Sequence, residues 1–164
     1  MFDYVHKIDE SMPEFRSGYQ AGVLDHWHQI LHGKRYPAKK DFRPQNFPQY
    51  LPQIAIISVD DTGICSDRLT GETITEILHL GPGREKLVGS TDKNISLVVR
   101  SMLDQTSLNE KPTYFTGEFK PEAYFSVGFS ALVLPFCYDE HGENMDALLL
   151  AFDFEGHITN TCIN

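Results

Sequence analysis

A chain of 164 residues, 41% of them apolar and 23% charged, can bury a real hydrophobic core as one domain without disulfide or metal staples. Fourteen basic against 23 acidic residues leave a net charge of −9, which argues against binding nucleic acid, since phosphate backbones need clustered Lys and Arg. Three scattered cysteines, Cys65, Cys137 and Cys162, form no CxxC pair, so neither a disulfide framework nor a structural zinc site is expected.

The opening MFDYVHKIDES carries early acidic residues and no apolar segment, so it does not read as a signal peptide. The longest apolar run, Ala131 to Cys137, is far short of the roughly 20 residues that span a bilayer, and a cytoplasmic location is expected. Residues 1–10 read as a polar lead. Ser11-Met12-Pro13-Glu14 then matches a capping box, and Phe15, Tyr19, Val23, Trp27, Ile30 and Leu31 recur at helical spacing as one apolar stripe. Gly33 is placed to end that helix. The first unit is therefore a lead and amphipathic helix over 1–33.

A connector over 34–52 follows, where Pro37, Pro44, Pro48 and Pro52 block both helix extension and stray strand pairing. Its basic cluster, Lys34, Arg35, Lys39, Lys40 and Arg43, reads as solvated surface. A core over 53–155 begins with two strands, Gln53 to Asp60 and Ile64 to Leu69, turned by Asp61-Thr62-Gly63. Thr70 to Gly89 reads as short helical pieces broken by Gly81-Pro82-Gly83. A helix from about Asp92 to Gln105 buries Ile95, Val98, Val99, Met102 and Leu103. Strands are predicted at Pro112 to Phe119, Tyr124 to Tyr138 and Met145 to Phe154. In the second of these, Phe125, Val127, Phe129, Ala131 and Val133 alternate strictly. Residues 156–164 form a weakly patterned tail. The predicted class is α+β: a five-stranded antiparallel sheet with helices on one face and an extra N-terminal amphipathic helix.

The order of these elements resembles the PAS fold, and the motifs resemble a bacterial family of small, often stand-alone PAS-like domains. The resemblance rests on His26-Trp27, Leu31, Gly33, Pro37 and Asp41-Phe42-Arg43-Pro44. It continues through Leu51-Pro52, Arg68-Leu69-Thr70-Gly71, Leu134-Pro135-Phe136 and Gly142, and spans about residues 26 to 154. Two positions depart from the family pattern. Cys65-Ser66-Asp67 replaces an aromatic-rich second strand, and Lys39-Lys40 stands where an arginine is usual, without that residue's forked donors. The resemblance implies a sensor or signalling module and supplies no catalytic or ligand residues.

The chemistry-bearing residues are sparse. Asp25, His28 and His32 share a helix face, but without the glutamate of H-E-x-x-H they read as polar surface. His79, His141 and His157 are lone histidines, weak candidates for haem ligation. Gly81 to Lys86 lacks the spacing of a phosphate loop. Cys65 and Cys137 read as core residues. Asp153, between Phe152 and Phe154, would be a base only if it faced an open cavity. Arg68, in a strand beside the core, must pair or bind an anion; a salt bridge to Asp67 or Asp153 is one reading and a ligand anchor the other.

The expectation is a non-enzymatic sensory domain. Its pocket candidates are Arg68, Val98, Met102, Phe125, Val127 and Phe129, and no cofactor or metal is required by the sequence. With no effector domain after the last strand, output is expected to pass through a homodimer or a signalling partner, docked on Phe15, Tyr19, Val23 and Trp27. The alternatives are a ligand-free interaction adaptor and a small enzyme with a cone-like pocket using Asp153 as base.

Overall fold

The structure is a computed structural model that describes residues 2–9, 11–80, 86–122, 125–139 and 141–156, without the side chains of 121, 122 and 125. Its strands are β1 (Phe2–Lys7), β2 (Ile54–Val59), β3 (Cys65–Thr70), β4 (Thr113–Glu122), β5 (Phe125–Phe136) and β6 (Ala147–Phe154). Its α-helices are α1 (Gly18–Leu31), α2 (Glu72–Ile77) and α3 (Lys93–Asn109). The strands make one antiparallel sheet in the order β1-β4-β5-β6-β2-β3. The α+β class and the antiparallel sheet agree with the sequence reading.

The sheet has six strands among the described residues, one more than predicted, because the polar lead is a strand. Residues 2–7 pair with β4, and the register shifts between Phe2 and Tyr4. That shift breaks the period of two by which strands are recognised. Phe2 packs its ring 5.0 Å from Phe115 on one face, and Tyr4 packs near Tyr114 on the other. The capping box at Ser11 is also a correction. Helix α1 begins at Gly18 with Ser17 in the capping position. Proline at 13 favours extended backbone before it, and the chain stays irregular until residue 17. The other end matches: His32 and Gly33 take positive φ of 49° and 72° and close the helix.

Helices α2 and α3 cover one face of the sheet, and the extra N-terminal helix α1 covers the other. Because successive strand residues point to opposite sides, each strand feeds two cores. One contains Phe115, Phe119, Phe129, Ala131, Val133, Leu148, Leu150, Phe152 and Phe154 from the sheet, with Ile95, Val98, Val99, Met102 and Leu103 from α3 and Ile74 from α2. The other contains Tyr114, Leu132, Leu134, Phe136, Leu149 and Ala151, with Tyr19, Val23, Leu24 and Trp27 from α1. This is why β5 is apolar on both sides from Ala131 onward. The N-cap of α3 is Asp92, whose carboxylate accepts from the amides of Asn94 and Ile95.

The proline-rich connector closes over the α1 side. Phe42 is buried, and partly buried Phe47 and Tyr50 pack against the same core; the Tyr50 ring stacks on Tyr19 at 4.3 Å. Scattered sequence motifs meet here. His26 accepts from the Arg43 amide at 2.9 Å, and the Trp27 indole donates to the Pro135 carbonyl at 2.8 Å. A Cβ on Gly71 would lie 2.1 Å from the Pro52 carbonyl oxygen, and one on Gly142 would lie 2.6 Å from that of Tyr36. Only glycine allows those two approaches, and Gly142 also has a positive φ of 70°.

Candidate functional site

Helix α3 presses its apolar face on the sheet where β4, β5 and β6 contribute aromatic rings. Phe119 and Phe129 lie 4.5 Å apart between centroids, and Phe152 stacks with Phe154 at 5.4 Å. Four predicted pocket residues converge in this core: Val98, Met102, Val127 and Phe129. At its rim, Ile77, His79, Ser126, Val127, Gly128, Glu155 and Gly156 line an open cleft of about 460 Å3, within the range of small-molecule sites. Phe125 starts β5, and its side chain lies outside the description. Gly81 to Glu85 and His157 are also outside the described residues.

The segment leading into α3 is fastened to β3 by Asp67. Its carboxylate accepts from the amides of Leu87 at 2.8 Å, Val88 at 3.1 Å and Gly89 at 2.9 Å. The sequence offers Asp67 as one salt-bridge partner for Arg68. Three backbone donors hold it instead, and neighbours along a strand point to opposite faces.

Arg68 accordingly does not join Val98 and Met102. It faces the α1 side, where its Nε donates to the Ser58 hydroxyl at 2.7 Å, and Ser58 shares a 2.8 Å hydrogen bond with the Tyr138 hydroxyl. The pocket set named from the sequence is split by the sheet. Neither Asp67 nor Asp153 forms the ion pair offered for Arg68 among the described residues.

The docking face is the larger correction. Val23 is fully buried, and Tyr19 and Trp27 nearly so, all within this chain; Phe15 is half-buried against Tyr114. The apolar stripe runs along α1 as its spacing predicts, and its partner is the second face of the sheet. Asp25, His28 and His32 are exposed on the solvent side of α1. Asp153 is half-buried on the α1 side, opposite Ser130 and near Tyr19, away from the α3 core. Burial, with the Asp153 charge adding to it, pushes the Tyr19 phenol well above its ordinary pKa, so Tyr19 stays a donor and bonds the Phe152 carbonyl. Cys137 is buried with its thiol near the Pro37 carbonyl, and burial raises its pKa; Cys65 is half-exposed and is also raised by burial. Both are poor nucleophiles.

The sheet order, the α3 roof and the meeting of the motif residues are now joined by a direct comparison. The family model of the PAS domain matches residues 16–149 of the 164. This chain is a PAS domain. β1 and the end of β6 lie outside the matched span. No curated protein and no solved structure gives a significant match. PAS domains are, in general, sensory and signalling modules. Among the described residues, no helix of this PAS domain is long and apolar enough to cross a membrane.

Proposed function

We propose that this PAS domain is a non-enzymatic sensory module that takes a small, largely apolar ligand on the α3 side of its sheet and reports through a protein partner. The observation that carries the reading is the cleft beside Val127, which opens at the rim of the Phe119, Phe129, Phe152 and Phe154 cluster. Its lining combines apolar Ile77 and Val127 with polar His79, Ser126 and Glu155, a mixture suited to a hydrophobic body with one or two hydrogen-bonding groups. A ligand there would act by favouring one of two pre-existing arrangements of α3 on the sheet, in proportion to its differential affinity.

Native mass spectrometry of freshly purified protein, compared with the denatured mass, tests this. Extra mass lost on denaturation is expected. A clean apo mass, together with no thermal stabilisation by a panel of small apolar ligands, would favour the ligand-free adaptor. A homodimer remains part of the proposal, but its surface cannot be the Tyr19, Val23 and Trp27 side chains as they pack here. Aspartate at 23 or 27 would unfold the α1 side rather than separate two copies, so sedimentation of the unmodified chain is the cleaner measurement.

A further inference from the structure

The second face of the sheet carries a cleft of about 470 Å3 lined by Lys39, Ile56, Arg68, Leu69 and Tyr138. It contains two cations and no carboxylate, in a chain of net charge −9. Arg68 uses only its Nε, on Ser58; the two terminal NH2 groups have no hydrogen bond or ion pair among the described residues. The Ser58–Tyr138 pair holds two hydroxyl protons and uses one between its members, so one remains to be donated. The Lys39 ammonium sits 5.7 Å from the centre of the Phe42 ring, again without a carboxylate partner among the described residues. Burial lowers the Lys39 pKa, and an added negative charge would offset that cost. The carboxylate of Asp146, near Tyr138, is engaged by the Tyr138 amide at 3.2 Å.

We infer that Arg68, Lys39 and Tyr138 form an oxyanion-binding site for a small organic carboxylate or phosphate whose apolar body rests on Ile56 and Leu69. The guanidinium is oriented before binding, since Ser58 fixes its Nε edge and leaves the NH2 groups to the ligand. Leu69 is half-exposed and Tyr138 likewise, so an apolar surface sits beside the charge. Asp67 points to the opposite face and does not neutralise Arg68 from its own strand. This site is independent of the α3-side cleft, because the sheet separates the two.

Amide shifts of 15N-labelled protein, titrated separately with sodium benzoate and inorganic phosphate, test the assignment. Saturable shifts are expected at Ile56, Arg68, Leu69 and Tyr138. Arg68→Gln and Lys39→Gln should each weaken binding about tenfold or more, as expected for loss of a charge-assisted contact. Arg68→Lys should bind more weakly than the parent and more tightly than the Gln variant. Benzoate binding tighter than phosphate would support the apolar floor, and equal binding would support the oxyanion contacts alone. The inference fails if neither probe saturates, if Arg68→Gln binds both as the parent does, or if the shifts fall at Ile77 to His79 and Val127. Arg68 and Tyr138 are exposed, so the variants should fold; Tyr138→Phe offers a second, conservative check on the hydroxyl.

Discussion

The two faces of the sheet are held by different means. On the α3 side the core is apolar: five phenylalanine rings, those of Phe115, Phe119, Phe129, Phe152 and Phe154, against Val98, Val99, Met102 and Leu103. On the α1 side the apolar contact is threaded with side-chain donors aimed at strand carbonyls. Gln20 donates to the Ala151 carbonyl at 2.9 Å and accepts from the Ser130 hydroxyl at 3.2 Å. Gln53 donates to the Phe152 carbonyl at 3.1 Å, Tyr19 donates to the same oxygen, and Trp27 reaches Pro135. Apolar packing is non-directional and tolerates sliding, whereas a buried polar group must keep its partner or cost free energy. The α3 roof is therefore held by apolar packing with polar fastening at its lead, from Asp67, whereas the α1 side is fixed in register by hydrogen bonds within its core.

Breaking the greasy side should have the largest effect. Phe129→Ala removes a fully buried ring from the centre of the aromatic cluster and should cost about 3–5 kcal/mol in urea unfolding. If the loss were under about 1 kcal/mol, that core would be loosely packed in solution and the contrast between the faces would weaken. Gln20→Ala should cost less, about 1–3 kcal/mol, because the change leaves the Ser130 hydroxyl and a strand carbonyl buried without this partner. It should also raise amide exchange along α1 more than along α3; equal effects on both helices would count against two separately held faces.

The smallest effect sharpens the comparison through pH. Burial holds the His26 ring below its ordinary pKa of 6.5; a hydrogen bond to Gln29 works against it, and the Arg43 charge adds a smaller push downward. The folded chain then binds this proton less readily than the unfolded one. Its contribution to stability is complete above 6.5, falls as pH drops below that value, and levels off once the folded-state ring also protonates. His26→Gln keeps an acceptor for the Arg43 amide and should flatten that part of the urea-midpoint profile. An unchanged profile would assign the pH dependence to another group.

Much of this architecture was readable in advance. The strict alternation from Val127 to Val133 gave β5, and the spacing of Ile95, Val98, Val99, Met102 and Leu103 gave α3, because each buries one face against one neighbour. Where an element serves two neighbours, the pattern blurs. β1 carries a bulge that turns Phe2 and Tyr4 to different sides, so it looked like an unstructured lead. The stripe on α1 was visible, yet an apolar stripe states only that something covers it. The covering surface comes from Leu132, Leu134, Phe136 and Leu149, which lie more than 100 positions away. The site was less legible than the fold. The sequence marks Arg68 as a residue that must pair or bind an anion, but Ser58, which it meets, and Tyr138, which Ser58 meets, carry no motif and are brought together by strand pairing.

Phe152 belongs to both sides of the molecule: its ring lies among the aromatics under α3, and its carbonyl oxygen is clasped by Tyr19 and Gln53 from beyond the sheet. Turning that one peptide plane would therefore release two donors at once, so a guest that merely nudged the ring would leave α1 undisturbed, whereas one that displaced the backbone would be felt on the far side. The 13C shift of this carbonyl is accordingly the most direct gauge of whether an event on one side crosses the partition.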